Sequence, residues 1–171
     1  MENQSQIVST TILGIDPGYD RLGWAVATRY NDSWEQVNLG CIQTDRQQDV
    51  LLRYQDLTQQ LTTLIDEFLP SQVAIETLFF ANNTTTALKI AEVRGIVITL
   101  CLQHQIQISQ YNPMTVKQAV TGNGKADKKA IAKIIELEFK LTNQPQLDDA
   151  SDALALVLTH YLYGRYQRVL A

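Results

Sequence analysis

The feature that most narrows the fold is a change in hydrophobic rhythm near residue 49. Before it, apolar residues come in strand-like runs; after it, short apolar runs alternate with segments of helical spacing. "TTILGID" (10–16) and "RLGWAVATRY" (21–30) read as two strands joined by a short turn at "PGYD", and "SWEQVNLGCIQT" (33–44) reads as a third, which makes an antiparallel meander. Residues 49–69 then place Leu51, Leu52, Leu57, Leu61, Leu64, Ile65 and Phe68 at helical spacing and stop at Pro70. "QVAIE" (72–76) is a short buried strand, Thr84–Leu102 a long apolar helix, and "QIQISQY" (105–111) a fifth strand. Pro113 opens a short helix, a loop follows at Gly122–Gly124, residues 127–140 form another helix, and "DDASDALALVLTHYLYGRY" (148–166) forms the last. Three antiparallel strands followed by strands alternating with helices predict an α/β fold, a five-stranded mixed sheet with helices on both faces.

The strand ends draw attention to acids. Strand one stops on Asp16, just before Pro17 and Gly18, and strand four stops on Glu76. In such a sheet strand one is central and strand four lies beside it, so these carboxylates emerge close together. Asp149 and Asp152, three residues apart, share one face of the first turn of the last helix. Carboxylates converging away from water repel and raise one another's pKa values, so a positive group is expected among them. Oxygen-only ligands favour hard cations such as Mg²⁺ or Mn²⁺, and two such ions form a clamp for attack of water on a phosphodiester. Taken singly, each acid has a plainer use. Asp148 and Asp149 suit an N-cap and the helix dipole, a lone strand-end Glu is usually solvated, and "GIDPG" equally opens actin-like ATPases and sugar kinases.

Charge and composition bound the partners. The 171 residues, 45% hydrophobic, suffice for one compact domain, read as 1–171 with an N-terminal extension over residues 1–10 expected to be disordered. No apolar run is long enough for a membrane span and the first residues lack a signal-peptide pattern, so a cytoplasmic location is expected. Cys41 and Cys101 lie in periodic apolar segments without metal-ligand spacing and are read as buried reduced thiols. The net charge of −4 hides an asymmetry: residues 1–85 sum to −7, residues 86–140 to +4, and the remainder to −1. Lys117, Lys125, Lys128, Lys129, Lys133 and Lys140 make the second region a candidate phosphate-binding surface, although a solvated helix face has the same composition.

Four blocks, "LGIDPGYDRLGWAV", "VAIETLFFANNTTTALKIAEVRG", "YNPMTVKQAVTGNGKADKKAI" and "DDASDALALVLTH", together resemble the RuvC family of Holliday-junction resolvases, in family order over nearly the whole chain. The resemblance implies a ribonuclease H-like fold. It implies a homodimeric, Mg²⁺-dependent endonuclease that makes two symmetric nicks in a four-way DNA junction, in recombination and repair. Its acidic positions fall on Asp16, Glu76, Asp149 and Asp152, expected as catalytic residues and as ligands of two Mg²⁺ ions, with Mn²⁺ able to substitute. DNA-binding positions fall on Lys117, Lys128 and neighbouring Lys129, and on Phe79, an aromatic that stacks on a base at the junction. A partnership with the RuvA–RuvB branch-migration complex, association with the nucleoid, and cleavage at a preferred short sequence are implied in the same way.

Several residues are left to packing. Trp24, Trp34, Tyr161 and Tyr163 carry no family signal, His160 is read as a satisfied helical histidine, and His104 as a helix-end residue. Asp148 is the expected N-cap of the last helix, although it and Asp152 also share a face at i, i+4. Two rivals remain: a ribonuclease H-like nuclease acting on RNA, and a junction-binding protein without cleavage activity.

Overall fold

Small residues on one face of a sheet decide how closely a helix can lie on it, and here they fix the position of the last helix. The computed structural model describes residues 9–31, 33–78, 84–141 and 148–169. Its elements run β1 (Thr10–Asp16), β2 (Arg21–Tyr30), β3 (Ser33–Gln43), α1 (Val50–Phe68), β4 (Gln72–Glu76), α2 (Thr84–Gln103), β5 (Gln107–Tyr111), α3 (Pro113–Thr121), α4 (Lys128–Glu138) and α5 (Asp148–Val169). The five strands form a single sheet in the order β3-β2-β1-β4-β5. β1, β2 and β3 pair antiparallel, while β4 pairs parallel to both β1 and β5. The predicted mixed sheet is therefore observed, with β1 at its centre and β4 beside it.

Local chemistry sets the helix boundaries. Asp49 caps α1 by accepting from the Leu51 amide, Asn112 caps α3 ahead of Pro113, and Asp127 caps α4 by accepting from Ala130. The sequence-predicted starts at 49 and 127 are thus caps. α4 stops at Glu138 rather than 140, because Lys140 takes a left-handed backbone with φ 52°. Asp148 differs from expectation: it lies inside the first turn of α5, and the residue before it is outside the described set.

Both faces of the sheet are covered, which is why β1 is apolar without alternation. On one face Leu13, Ile15, Val73 and Ile75 pack against Leu57 and Leu61 of α1 and Val93 and Val97 of α2. On the other, Ile12, Ala25, Ala27 and Ala74 meet Ala153, Leu154 and Val157 of α5, backed by Val116, Ile131 and Ile135. This second face is lined with small side chains, and α5 comes down onto it. A Cβ at Gly14 would sit 2.0 Å from the Ala153 carbonyl oxygen, and one at Gly23 would sit 2.1 Å from that of Asp149.

The residues read as packing do pack. Trp24 lies against Phe68, and Trp34 against Phe139 and Tyr161. Tyr163 lies against Tyr111. His160 has both ring nitrogens engaged, one with the Tyr111 hydroxyl at 2.8 Å and one with Gln72 Oε1 at 2.9 Å. His104, at the end of α2, is 3.7 Å from Asp66. Cys101 is fully buried and Cys41 half-buried, and both are free thiols. Among the described residues no helix is long and apolar enough to cross a membrane. Residues 1–8 of the predicted extension lie outside the described residues.

Candidate active site

The alternation of side chains along a strand sends Ile12, Gly14 and Asp16 of β1, and Gln72, Ala74 and Glu76 of β4, to the α5 face. β1 and β4 are parallel and in register through Ile15 and Ile75, so Asp16 and Glu76 emerge side by side at the carboxyl edge. In open α/β sheets this edge is where ligands bind. The two carboxyl groups share a hydrogen bond, which requires a proton between them. Burial, and then the Glu76 charge, push Asp16 up to about 8, with Asp152 and Asp149 adding to the effect. Burial also raises Glu76, where Asp152 adds and the bond from Asp16, Lys128 and Arg94 oppose. The pair therefore keeps a proton well above the usual carboxylate range.

The other acids reach the same place from α5, brought down by Gly14 and Gly23. Their charges act on Asp16, yet each is engaged by a base of its own. Asp149 Oδ2 is 2.8 Å from Arg21 Nε, with the Cys41 thiol 3.9 Å away. Asp152 Oδ2 accepts from Lys128 Nζ at 2.9 Å. Asp148, exposed beside them, acts on Lys128.

Lys117 and Lys128 stand on the α3–α4 side, lining with Asp16, Glu76 and Asp152 a hollow of about 300 Å³. Lys129 is exposed and does not line it. Phe79 lies outside the described residues. A second hollow of about 520 Å³ opens on the α2 side of the acids, bounded by Pro17, Gly18, Leu78, Ala87, Ile90 and Arg94. The turn after Asp16 is held by Arg53 of α1, whose buried guanidinium bonds the Tyr19 carbonyl, Asp20 Oδ1 at 2.9 Å and Thr44, and lies over the Tyr19 ring.

The donor set suits a hard divalent cation, because it is all carboxylate and its innermost pair carries charge that no basic side chain bonds among the described residues. The present spacing is looser than ligation needs. Among the described residues no three of His, Cys, Asp and Glu stand close enough to grip one ion. The bases on Asp149 and Asp152 account for that, since they draw these two carboxylates aside.

Sequence reasoning missed Arg21, Arg53 and Arg94. Arg21 and Arg53 belong to the acidic first half, where isolated bases read as solvated. Arg94 carried a usable signal, a charge between Val93 and Val97, which lie on the buried side of the helix.

Known proteins show the same pattern. Residues 12–160 match the family model described as crossover junction endodeoxyribonuclease RuvC. Relatives with that name include one from Pseudothermotoga lettingae, 43% identical over 149 residues (87% of this chain, 92% of the relative), and one from Petrotoga mobilis, 39% identical over 158 residues (92% and 94%). Among solved structures, Thermus thermophilus RuvC in complex with Holliday junction substrate is 28% identical, with a TM-score of 0.84 over 92% of this chain and 96% of that one. The yeast mitochondrial Holliday junction resolvase Ydc2 shares the fold at 16% identity, with a TM-score of 0.66 over 94% and 82% of the two chains.

Proposed function

This chain belongs to the RuvC family of crossover junction endodeoxyribonucleases, and from that premise we propose that it resolves four-way DNA junctions by paired, metal-dependent hydrolysis of phosphodiesters. The observation that carries the reading is the Asp16–Glu76 pair, proton-sharing and half-buried at the carboxyl edge between two hollows. Such a pair stores unfavourable charge that a cation would relieve. Asp16, Glu76, Asp149 and Asp152 would hold the ions, two Mg²⁺ with Mn²⁺ as a substitute. These supply activation of water and charge stabilisation at the phosphate.

The chain's own residues do the rest. Asp16 gives up its proton and turns both oxygens to the site. Asp149 and Asp152 leave Arg21 and Lys128, and Lys128, freed, joins Lys117 in holding the DNA backbone beside the cut. Lys129 adds to the same positive surface, and Phe79 stacks on a base at the junction. Water is the nucleophile, and the products carry 5′-phosphate and 3′-hydroxyl ends. The chain acts as a single nuclease domain.

A junction has two equivalent strands to cut, so a two-fold dimer presents two sites at fixed separation. α2 offers a face for this. Leu88 and Leu102 are 65% and 64% exposed, and between them Gly95 has open space where a Cβ would be. We place the dimer interface on this face. Cooperation with RuvA–RuvB and a place at the nucleoid follow from the substrate.

The test is incubation of the protein with Mg²⁺ and an end-labelled synthetic four-way junction, beside a linear duplex and an RNA hairpin, on denaturing and native gels. Paired symmetric nicks in the junction alone are expected. Binding without nicks would replace the proposal by a junction-binding module, and cutting of RNA alone by an RNA-processing nuclease.

A further inference from the structure

Arg94 is the most unusual charge in the molecule. Its side chain is 7% exposed, yet its only bond to a described residue is from Nη2 to the neutral Gln110 Oε1 at 2.6 Å. Nη1 is buried and has no hydrogen-bond partner among the described residues. Burial pushes the guanidinium down from its ordinary range, with the Glu76 charge partly opposing. Glu76 acts on it by charge, but no hydrogen bond joins the two among the described residues. A buried cation with no carboxylate hydrogen-bonded to it among the described residues, and a buried N–H without an acceptor there, are both costly, and the fold retains them at the edge of the acidic site.

The place where Arg94 lies supplies the reason. The α2-side hollow, about 520 Å³, is within the range of ligand sites, roughly 300–1,000 Å³. Leu78, Ala87 and Ile90 give it apolar walls, and among the described residues Arg94 is the one cation lining it. It shares Asp16, Glu76 and Pro113 with the hollow that carries Lys117 and Lys128. A DNA strand whose cut phosphate lies at the acid pair must leave it on both sides. On one side the lysines meet it; on the other the guanidinium does.

Resting on the junction-nuclease reading, we propose that the α2-side hollow is a binding subsite for the nucleotide bordering the cut, with Arg94 as the donor to an oxygen of that nucleotide. The apolar walls take the sugar and base, and the planar fork of Arg94 takes the acceptor, a phosphate oxygen or a base carbonyl. Filling the hollow brings an acceptor to a guanidinium that bonds only Gln110 among the described residues.

The experiment uses the Asp16→Asn protein, expected to bind without cutting, on a junction whose cut position has first been mapped with the unaltered enzyme. Single methylphosphonate linkages, and separately single abasic residues, are placed one at a time at the nucleotides flanking that position. Binding is measured with Arg94 and with Arg94→Met. One substitution next to the cut is expected to weaken binding about ten-fold when Arg94 is present and less than about two-fold with Met, since the lost contact cannot be lost twice. A methylphosphonate response assigns the oxygen to phosphate, and an abasic response to the base. Equal weakening with and without Arg94 at every position overturns the subsite. Arg94→Lys, which keeps the charge without the fork, is run in parallel and is expected to fall between the two. If Arg94→Met does not fold, the same comparison against Lys decides. If the Asp16→Asn protein prefers no junction over linear duplex, the junction reading fails and takes the subsite with it.

Discussion

Two pairs of acids meet at the carboxyl edge of one sheet, and they handle their charge in opposite ways. Asp16 and Glu76 sit on neighbouring strands, half-buried, and bond each other. Asp149 and Asp152 sit on the first turn of α5, and each bonds a base, Arg21 in one case and Lys128 in the other. Strands in register fix the first pair rigidly, so its repulsion can be relieved only by a proton or a cation. The second pair, on a helix end reached by flexible side chains, borrows positive charge from the protein. In the proposed mechanism the strand pair therefore creates the demand for metal, and the helix pair sets how readily it would be met.

The largest test removes the strand pair's demand. Asp16→Asn is expected to lower junction cleavage by about 10³-fold or more while leaving junction binding intact or tighter, because it deletes a ligand and leaves the site no more negative towards phosphate. Cleavage retained within about ten-fold, in single-turnover gels, would remove Asp16 from the chemistry.

The next effect comes from separating the pairs. At Gly23 a Cβ would meet the Asp149 carbonyl oxygen at 2.1 Å, so Gly23→Ala must push the start of α5 outward. Overpacking of this kind costs about 1–3 kcal/mol, and a displacement near 1 Å costs about 100-fold in rate. Cleavage should fall by about that factor, with a lowered thermal midpoint and junction binding kept. An unchanged rate would show that α5 need not approach so closely.

A third, smaller effect follows from the proton. An acid whose folded pKa is raised binds more protons in the native state than in the unfolded one. Stability without metal therefore falls as pH rises from 3.8 towards about 8, and levels off beyond. Asp16→Asn should flatten this slope and raise the midpoint of the EDTA-treated protein at neutral pH by roughly 2–6 °C. Divalent metal should do the same for the unaltered protein. Calorimetry at several pH values checks both, and an unchanged slope in Asp16→Asn would place the proton elsewhere.

How much of this was legible beforehand follows from what each feature depends on. The sheet order, and the pairing of Asp16 with Glu76, depend on strand sequence and period-two alternation, which are local and visible. The family spacing favoured Asp149 over Asp148 as a ligand, and in the folded chain the charges of Asp149 and Asp152 act on Asp16 beside that of Glu76. The bases were not legible. That Arg21 and not Arg29 faces Asp149, or that Arg94 lies beneath a hollow, depends on which side chains meet across elements distant in sequence. The glycine-lined approach of α5 is intermediate: Gly14 and Gly23 are visible, but their partners on α5 are not.

The smallest effect separates the two bases of the helix pair. Arg21 and Lys128 both hold carboxylates that metal would need, so removing either should tighten divalent binding to the junction-free protein. The pairs are solvent-exposed, with side-chain exposures of 44% and 34% for Arg21 and Asp149, so each gain should be only about two- to five-fold. The bases then diverge. Lys128 lines the hollow beside Lys117, whereas Arg21 lines neither hollow at the acid pair. Lys128→Ala should therefore also weaken junction binding and reduce its salt dependence by about one phosphate contact, while Arg21→Ala should leave both unchanged. Titration of Mn²⁺ by calorimetry, with junction binding across a salt series, reads the two quantities separately. If Arg21→Ala weakens metal binding instead, Arg21 positions Asp149 for the ion and does not compete with it, and the helix pair would then be prepared for metal as fully as the strand pair.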